Sequence, residues 1–318
     1  MAAVQLIEVQ GLTKYCDNRP AIVDLTFSVP SGQMLGLVGP PGSGKSTTMR
    51  ILAGYLSATS GTASVAGYDV LEQSRETRKR IGYLPETAPL YSGMRVQQYL
   101  ETMCRLRGVA PRKRGRRIDY ALTACGLKER RKDIIGHLSN ELRRQVGLAQ
   151  AVLHDPQVLL LDEPAASLDS AQTRETLQLI RALGEQRTVM LSSQILSEVR
   201  ATCDRVLLID GGRVVADDAP SSLSRRLAEK GRRQVEAVIA GDPVEVDGQL
   251  RKLAGVTEVT VTSNGDGENR LTITGHGDDL QDAVARVIVS QGVGLRGLKS
   301  RSLAPEDMVP ERTTQEAH

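Results

Sequence analysis

Met34-Leu35-Gly36-Leu37-Val38-Gly39-Pro40-Pro41-Gly42-Ser43-Gly44-Lys45-Ser46 joins three signals in one run. Its opening residues are apolar, as a strand buried on both faces requires. The part from Gly39 to Ser46 fits G-x-x-x-x-G-K-[ST]. A helix is predicted over residues 46–56. Strand, glycine turn and helix in this order make a phosphate cradle. The glycines let backbone N–H groups turn inward, and the helix start adds its dipole. A chance glycine-rich turn would lack both neighbours. Gly39, Pro40, Pro41, Gly42, Ser43, Gly44, Lys45, Ser46 and Thr47 are therefore assigned to nucleotide binding. Lys45 would reach the β- and γ-phosphates, and the Ser46 hydroxyl would ligate Mg²⁺.

Leu159-Leu160-Leu161-Asp162-Glu163 supplies the second half of the site. An apolar strand over 158–161 delivers two carboxylates to its carboxyl end, where ligands gather in parallel sheets. Asp162 would hold Mg²⁺, directly or through water. Glu163 would polarise the attacking water as general base. Taken alone, such a run is often just a capped strand; the phosphate loop upstream gives it meaning.

The bulk properties agree with a nucleotide-binding globular chain. The chain has 318 residues, long enough for one large and one small domain. Hydrophobic residues make up 40% and charged ones 25%, ordinary for a globular protein. With no Trp and a single Phe, Phe27, the core must be aliphatic. A net charge of +3 is too small to argue for nucleic acid. The apolar runs fall far short of the roughly 18 to 20 residues that span a bilayer. Residues 1–10 lack the basic start and apolar stretch of a secretory signal. Cys16, Cys104, Cys125 and Cys203 are scattered, so neither a disulfide framework nor a zinc site is expected, and a reducing cytoplasm fits.

Along the chain, residues 4–9 and 22–29 alternate as antiparallel strands do. Helical patterns dominate residues 96–153. Residues 188–192 make a further buried strand. Residues 205–216 read as a hairpin turning at Asp210-Gly211-Gly212. Composition shifts near Lys230. Beyond it come strand (235–239), helix (246–253), strand (256–262), strand (270–274), helix (280–290) and strand (295–300), the split β-α-β-β-α-β order. Asn264-Gly265-Asp266-Gly267 is expected as a loop, and residues 311–318 as a frayed polar tail. The expected domains are therefore 1–230 and 231–310.

With these motifs in hand, the sequence resembles the ABC ATPase family along most of its length. Tyr15 stands where that family stacks an aromatic ring on adenine; a plain surface tyrosine is the alternative. Ile81-Gly82-Tyr83-Leu84-Pro85-Glu86 looks like the loop that senses the γ-phosphate and touches the membrane subunit, with Glu86 near the metal. Ser139 opens the signature segment. Arg144-Gln145-Val146-Gly147-Leu148-Ala149 continues the helix that normally follows. Ser167-Leu168-Asp169 resembles the loop that communicates between two subunits, and residues 192–204 the switch segment. The C-terminal unit is similar to the accessory domain of drug-export and gliding-motility type subunits, and residues 303–309 to its usual ending. The resemblance implies an α/β P-loop cassette: a mixed-sheet core, an antiparallel β subdomain and a helical subdomain, followed by a small α+β ferredoxin-like domain. It also implies ATP and Mg²⁺ as cofactors and a homo- or heterodimer that sandwiches ATP. A separate transmembrane permease subunit would be the partner, at the inner face of the cell membrane, with no nucleic acid.

Two departures from the family pattern stand out. The signature reads Leu138-Ser139-Asn140-Glu141-Leu142, so the family's glycine is Glu141. The switch histidine is Gln194. Glu86 replaces a glutamine, but this branch often carries Glu there. A carboxylate about 5 Å from a phosphate charge costs about 3 kcal/mol at an effective dielectric of about 20. Gln194 can donate an amide hydrogen bond but cannot carry a proton. Pairing with a different subunit does not rescue both sites, since one inherits Gln194 and the other Glu141; in a homodimer both fall in each site. The resemblance therefore implies normal ATP binding with slow hydrolysis.

Three function classes follow: a transport ATPase subunit, a regulatory subunit that binds ATP without turnover, and a soluble protein acting on ribosomes or DNA. The third fits poorly. Translation-type members usually carry two cassettes, and the interval between residues 45 and 162 has no room for the coiled coil of repair members. The basic runs 111–117 and 128–132 read as a solvated face, or as contacts to an anionic membrane or an acidic partner patch.

Overall fold

The computed structural model describes residues 4–222, 232–241, 243–253, 255–263, 268–276 and 279–302. The expected loop 264–267, the ending 303–309 and the tail 311–318 lie outside the described residues. The chain divides into two units, Met1–Pro220 and Ser221–His318. Composition had placed the division at Lys230; residues 223–231 are outside the description.

Strands β1 (Gln5–Cys16) and β2 (Arg19–Pro30) form an antiparallel hairpin. Asp17 and Asn18 close it, both with positive φ, the geometry of a two-residue hairpin turn. β3 (Met34–Val38) follows, then α1 (Lys45–Leu52). β4 (Ser60–Val65) and β5 (Tyr68–Asp69) extend the hairpin into a sheet of order β2-β1-β4-β5. After α2 (Ser74–Arg80) and β6 (Ile81–Leu84) comes the helical part: α3 (Val96–Leu106), α4 (Pro111–Ala124) and α5 (Asn140–Val152). The chain then alternates β7 (Val158–Leu161), α6 (Ser170–Gly184), β8 (Thr188–Ser193), α7 (Leu196–Thr202), β9 (Arg205–Asp210) and β10 (Arg213–Asp218).

The second sheet has the order β10-β9-β3-β8-β7-β6, parallel throughout except for β10. Every residue of β3, β6, β7 and β8 is buried, which explains the largely apolar character of these strands; β8 adds the buried hydroxyls of Thr188, Ser192 and Ser193 at its ends. The two sheets share one core. Ile7, Val9 and Phe27 of the hairpin pack with Met49 and Leu52 of α1 and with Leu37, Leu160 and Leu207. The carboxyl ends of β3, β7 and β8 thus lie side by side.

Residues 81–84 correct an expectation. The motif reading treated them as part of a loop, yet they pair with β7 from Ile81↔Val158 to Leu84↔Leu161. Gly82 makes this possible: a Cβ there would meet the Ala151 carbonyl oxygen of α5 at 2.2 Å. The polar strand β4 and the helices α6 and α7 were also absent from the sequence reading. The basic run 111–117 lies on α4, and part of it turns inward. Arg117 donates to the carbonyls of Leu153 (3.0 Å) and Val152 (2.8 Å).

In the second unit, β11 (Arg232–Ala240), α8 (Val244–Leu250), β12 (Val256–Ser263), β13 (Glu268–His276), α9 (Leu280–Ser290) and β14 (Gly294–Ser302) follow in order. The sheet runs β12-β13-β11-β14, antiparallel throughout. Val235, Ala237, Ile239, Leu271 and Ile273 meet Val246, Leu250, Val284 and Ile288 in a separate core. This is the split β-α-β-β-α-β arrangement.

Candidate nucleotide-binding site

The loop between β3 and α1 has the conformation that its glycines permit. Gly44 has φ 101°, and a Cβ there would meet Ile22 Cγ2 at 2.5 Å and the Ala21 oxygen at 2.6 Å. At Gly39 a Cβ would meet the Ile209 oxygen at 2.1 Å. Only glycine fits either position. α1 begins without a side-chain cap and without an acidic residue in its first turn. Its first N–H groups and its dipole are therefore left for an anion. Lys45 is buried and folds back on the loop, donating to the carbonyls of Gly39 (2.6 Å) and Pro40 (3.1 Å).

β7 carries Asp162 and Glu163 to the same edge. Asp162 is fully buried; its Oδ1 accepts from Ser46 Oγ (3.0 Å) and Ser192 Oγ (2.7 Å). Its Oδ2 is buried with no hydrogen-bond partner. An orphaned carboxylate oxygen beside a hydroxyl is a hard-oxygen donor set that suits Mg²⁺, which takes one or two protein ligands and completes its shell with phosphate and water. Among the described residues no cluster of three or more His, Cys, Asp or Glu forms a self-sufficient metal cage.

Glu163 lies 3.5 Å from Lys45 through Oε1, and its backbone N–H donates to Ser192 Oγ at 2.8 Å. The Gln194 side chain also favours the charged form of its carboxylate. Burial raises the Glu163 carboxyl above its ordinary range, opposed by Lys45 and Gln194. The same burial lowers Lys45, opposed chiefly by Glu163. Low dielectric disfavours each charge alone, and the pairing offsets part of that cost.

The other expected site residues stand further out. Tyr15 is 47% exposed, in register with Pro20, next to the Ala21 that crowds Gly44. Glu86 lines a cleft with Asn140, Arg144, Ala166 and Ser167. Ser139 caps α5, its Oγ accepting the Leu142 N–H at 3.2 Å. Asp169 caps α6 by accepting the N–H groups of Ala171 (2.8 Å) and Gln172 (2.9 Å). Glu141 is half-buried in the first turn of α5. The sequence places Ser192 only within the switch segment and Arg144 only within the helix after the signature, and gives neither a role of its own. A hydroxyl ending the apolar run Val189-Met190-Leu191 was the available signal for Ser192.

A glycine cradle at a helix start, closed by an Asp-Glu strand end, defines a P-loop nucleotide-binding cassette. The ABC transporter family model matches residues 22–166. The daunorubicin/doxorubicin resistance ATP-binding protein DrrA of Streptomyces peucetius is 34% identical over 222 residues, 70% of this chain and 67% of that protein. An uncharacterized ABC transporter ATP-binding protein of Bacillus subtilis, YxlF, is 35% identical over 209 residues, 66% of this chain and 69% of that protein. The Nod factor export ATP-binding protein I of Burkholderia pseudomallei is 30% identical over 259 residues, 81% of this chain and 84% of that protein. The solved ATP-binding subunit of an ABC transporter superposes with a TM-score of 0.63 at 27% identity, covering 70% of this chain and 92% of that one. The chain belongs to the ATP-binding subunits of ABC transporters. Among the described residues, no helix is long and apolar enough to cross a membrane.

Proposed function

We propose that the chain is the ATP-binding, slowly hydrolysing subunit of an exporter, working as a pair that sandwiches ATP and docked to a separate membrane subunit. The observation that carries the reading is the cluster of buried Lys45, Asp162, Glu163 and Ser192 with half-buried Ser46 at the carboxyl ends of β3, β7 and β8. Export is supported by the similarity to the Nod factor export ATP-binding protein I, and the similarity to a drug-resistance ATP-binding protein agrees with it.

In this reading the triphosphate lies on the first N–H groups of α1 and draws Lys45 away from Glu163. Glu163 then accepts the proton of the attacking water, and Gln194 donates to the γ-phosphate. Mg²⁺, when bound, neutralises charge on the β- and γ-phosphate oxygens; Ser46 and Asp162 would hold it, with Glu86 nearby. Tyr15 stacks on adenine, and Ser139 and Asp169 act toward the second subunit. The two units serve as cassette and accessory domain.

An open groove of about 790 Å³ lies beside residues 81–86, floored by Tyr55, Tyr83, Tyr91, Tyr99 and Leu106. Tyr55 and Leu106 are 66% and 70% exposed. Exposed apolar side chains around a concave surface support docking of the membrane subunit there.

A second reading, an ATP-gated regulatory subunit without turnover, is favoured by Glu141 and Gln194 alone. ATP turnover by the purified chain, with and without its membrane subunit, separates the two. Turnover that disappears in Lys45→Ala and Glu163→Gln supports the first reading. Tight ATP binding with no turnover in either setting supports the second.

A further inference from the structure

The turn after β7 is strained. Glu163 has φ 47° and Ser167 φ 63°, and neither is glycine. Left-handed non-glycine residues persist only where their surroundings over-determine them. One restraint comes from below: Ser192 Oγ accepts the Glu163 N–H and donates to Asp162.

The other comes from α5. Arg144 donates through one terminal nitrogen to the Glu163 carbonyl (2.6 Å) and through the other to the Ala166 carbonyl (3.0 Å). The Glu163 carbonyl also accepts the Ala166 N–H at 3.2 Å, so the guanidinium straddles a closed turn. A planar fork suits two carbonyls in a way that a lysine ammonium does not. The preceding Arg143 takes no part; its Nε donates to the Leu138 carbonyl at 2.9 Å.

We propose that Arg144 is a positioning residue for Glu163. It ties the opening of α5, which carries Ser139 and Glu141, to the backbone that aims the carboxylate. A shift of α5 is thereby passed to Glu163. The catalytic consequence rests on the hydrolytic reading above, but the clamp itself does not.

The test uses the full-length chain and the variants Arg144→Gln, Arg144→Lys and Arg143→Gln. Losing a charged hydrogen bond should raise amide exchange in the turn 163–168 about tenfold or more in Arg144→Gln, leaving β7 and α6 unchanged. At saturating ATP, kcat should fall about tenfold or more while KM stays within about twofold, the split expected when only alignment is lost. Arg144→Lys should recover part of both, and Arg143→Gln should change neither.

Unchanged exchange in the turn of Arg144→Gln would overturn the proposal. So would exchange raised across β7 and α5 together, with Arg144→Lys no better, because that pattern marks general destabilisation. A wild-type chain without turnover would remove the hydrolytic reading, and the exchange contrast would still decide the clamp.

Discussion

Lys45 Nζ lies 3.5 Å from Glu163 Oε1, with side-chain exposures of 5% and 8%. The proposed phosphate-binding cation and the proposed base thus form a buried ion pair. Removing Lys45 takes away the phosphate contact and leaves Glu163 buried without its countercharge. Lys45→Ala is expected to weaken ATP binding by about 100-fold or more, since a charged hydrogen-bonded partner contributes roughly 2 to 5 kcal/mol. Glu163→Gln frees Lys45 at little steric cost. It should bind ATP at least as tightly as wild type while turnover falls by about two orders of magnitude. Calorimetric titration and a phosphate-release assay check the pair of outcomes.

Ser192 connects Asp162 to the Glu163 backbone through one hydroxyl. Ser192→Ala orphans the buried Glu163 N–H, at a cost of about 1 to 3 kcal/mol. A thermal midpoint lowered by several degrees, with a lower kcat and little change in nucleotide affinity, is the expected result. A variant identical to wild type in both would show that the hydroxyl is dispensable.

Glu141 occupies the first turn of α5, and Gln194 favours the charged form of Glu163; these are the two positions at which the sequence departs from the pattern that the resemblance implies. In the proposed function Glu141 would bring a negative charge toward the γ-phosphate, and Gln194 would donate a hydrogen bond to it without being able to carry a proton. Restoring Glu141→Gly and Gln194→His together should raise turnover, by about tenfold or more if one donor is recovered. No gain in steady-state rate would show that these positions do not limit hydrolysis.

His154 sits against β6, and its Nε2–H donates to the Ile81 carbonyl at 3.0 Å. Burial, with Arg107 adding repulsion, pushes its pKa down to about 4 from an ordinary 6.5. Between those values the unfolded chain binds a proton that the folded chain does not, so stability falls as pH drops. Below the folded value the dependence on this residue levels off. The loss should be on the order of 3 kcal/mol across that window. His154→Gln keeps a donor for Ile81 and removes the titration. Urea unfolding at pH 7 and pH 5 should show a smaller acid loss in the variant than in wild type.

The Ile81-Gly82-Tyr83-Leu84 segment shows why part of the fold was hidden from sequence. As a string it is a short apolar run next to a proline, equally suited to a loop or a strand. Its strand identity comes from pairing with β7, more than seventy positions on, and from the close approach of α5 to Gly82. Arg117 tells the same story: it reads as one charge in a basic run, and packing turns it onto the carbonyls of Val152 and Leu153. The hairpin at Asp210-Gly211-Gly212 and the order of elements after Lys230 were legible because turn chemistry and side-chain period are local properties.

The run from Met34 to Ser46 was sufficient to announce the phosphate cradle, because the conformational demands on Gly39 and Gly44 and the start of α1 are set within a few residues. The same holds for Asp162 and Glu163, which an apolar strand must present at its end. Sequence could not show that Ser192 would bridge those two carboxylate residues, or that Arg144 would reach the Glu163 and Ala166 carbonyls. Those contacts exist only once β8 lies beside β7 and α5 packs against β6. Register and helix packing join residues distant along the chain, and no local pattern encodes their distance.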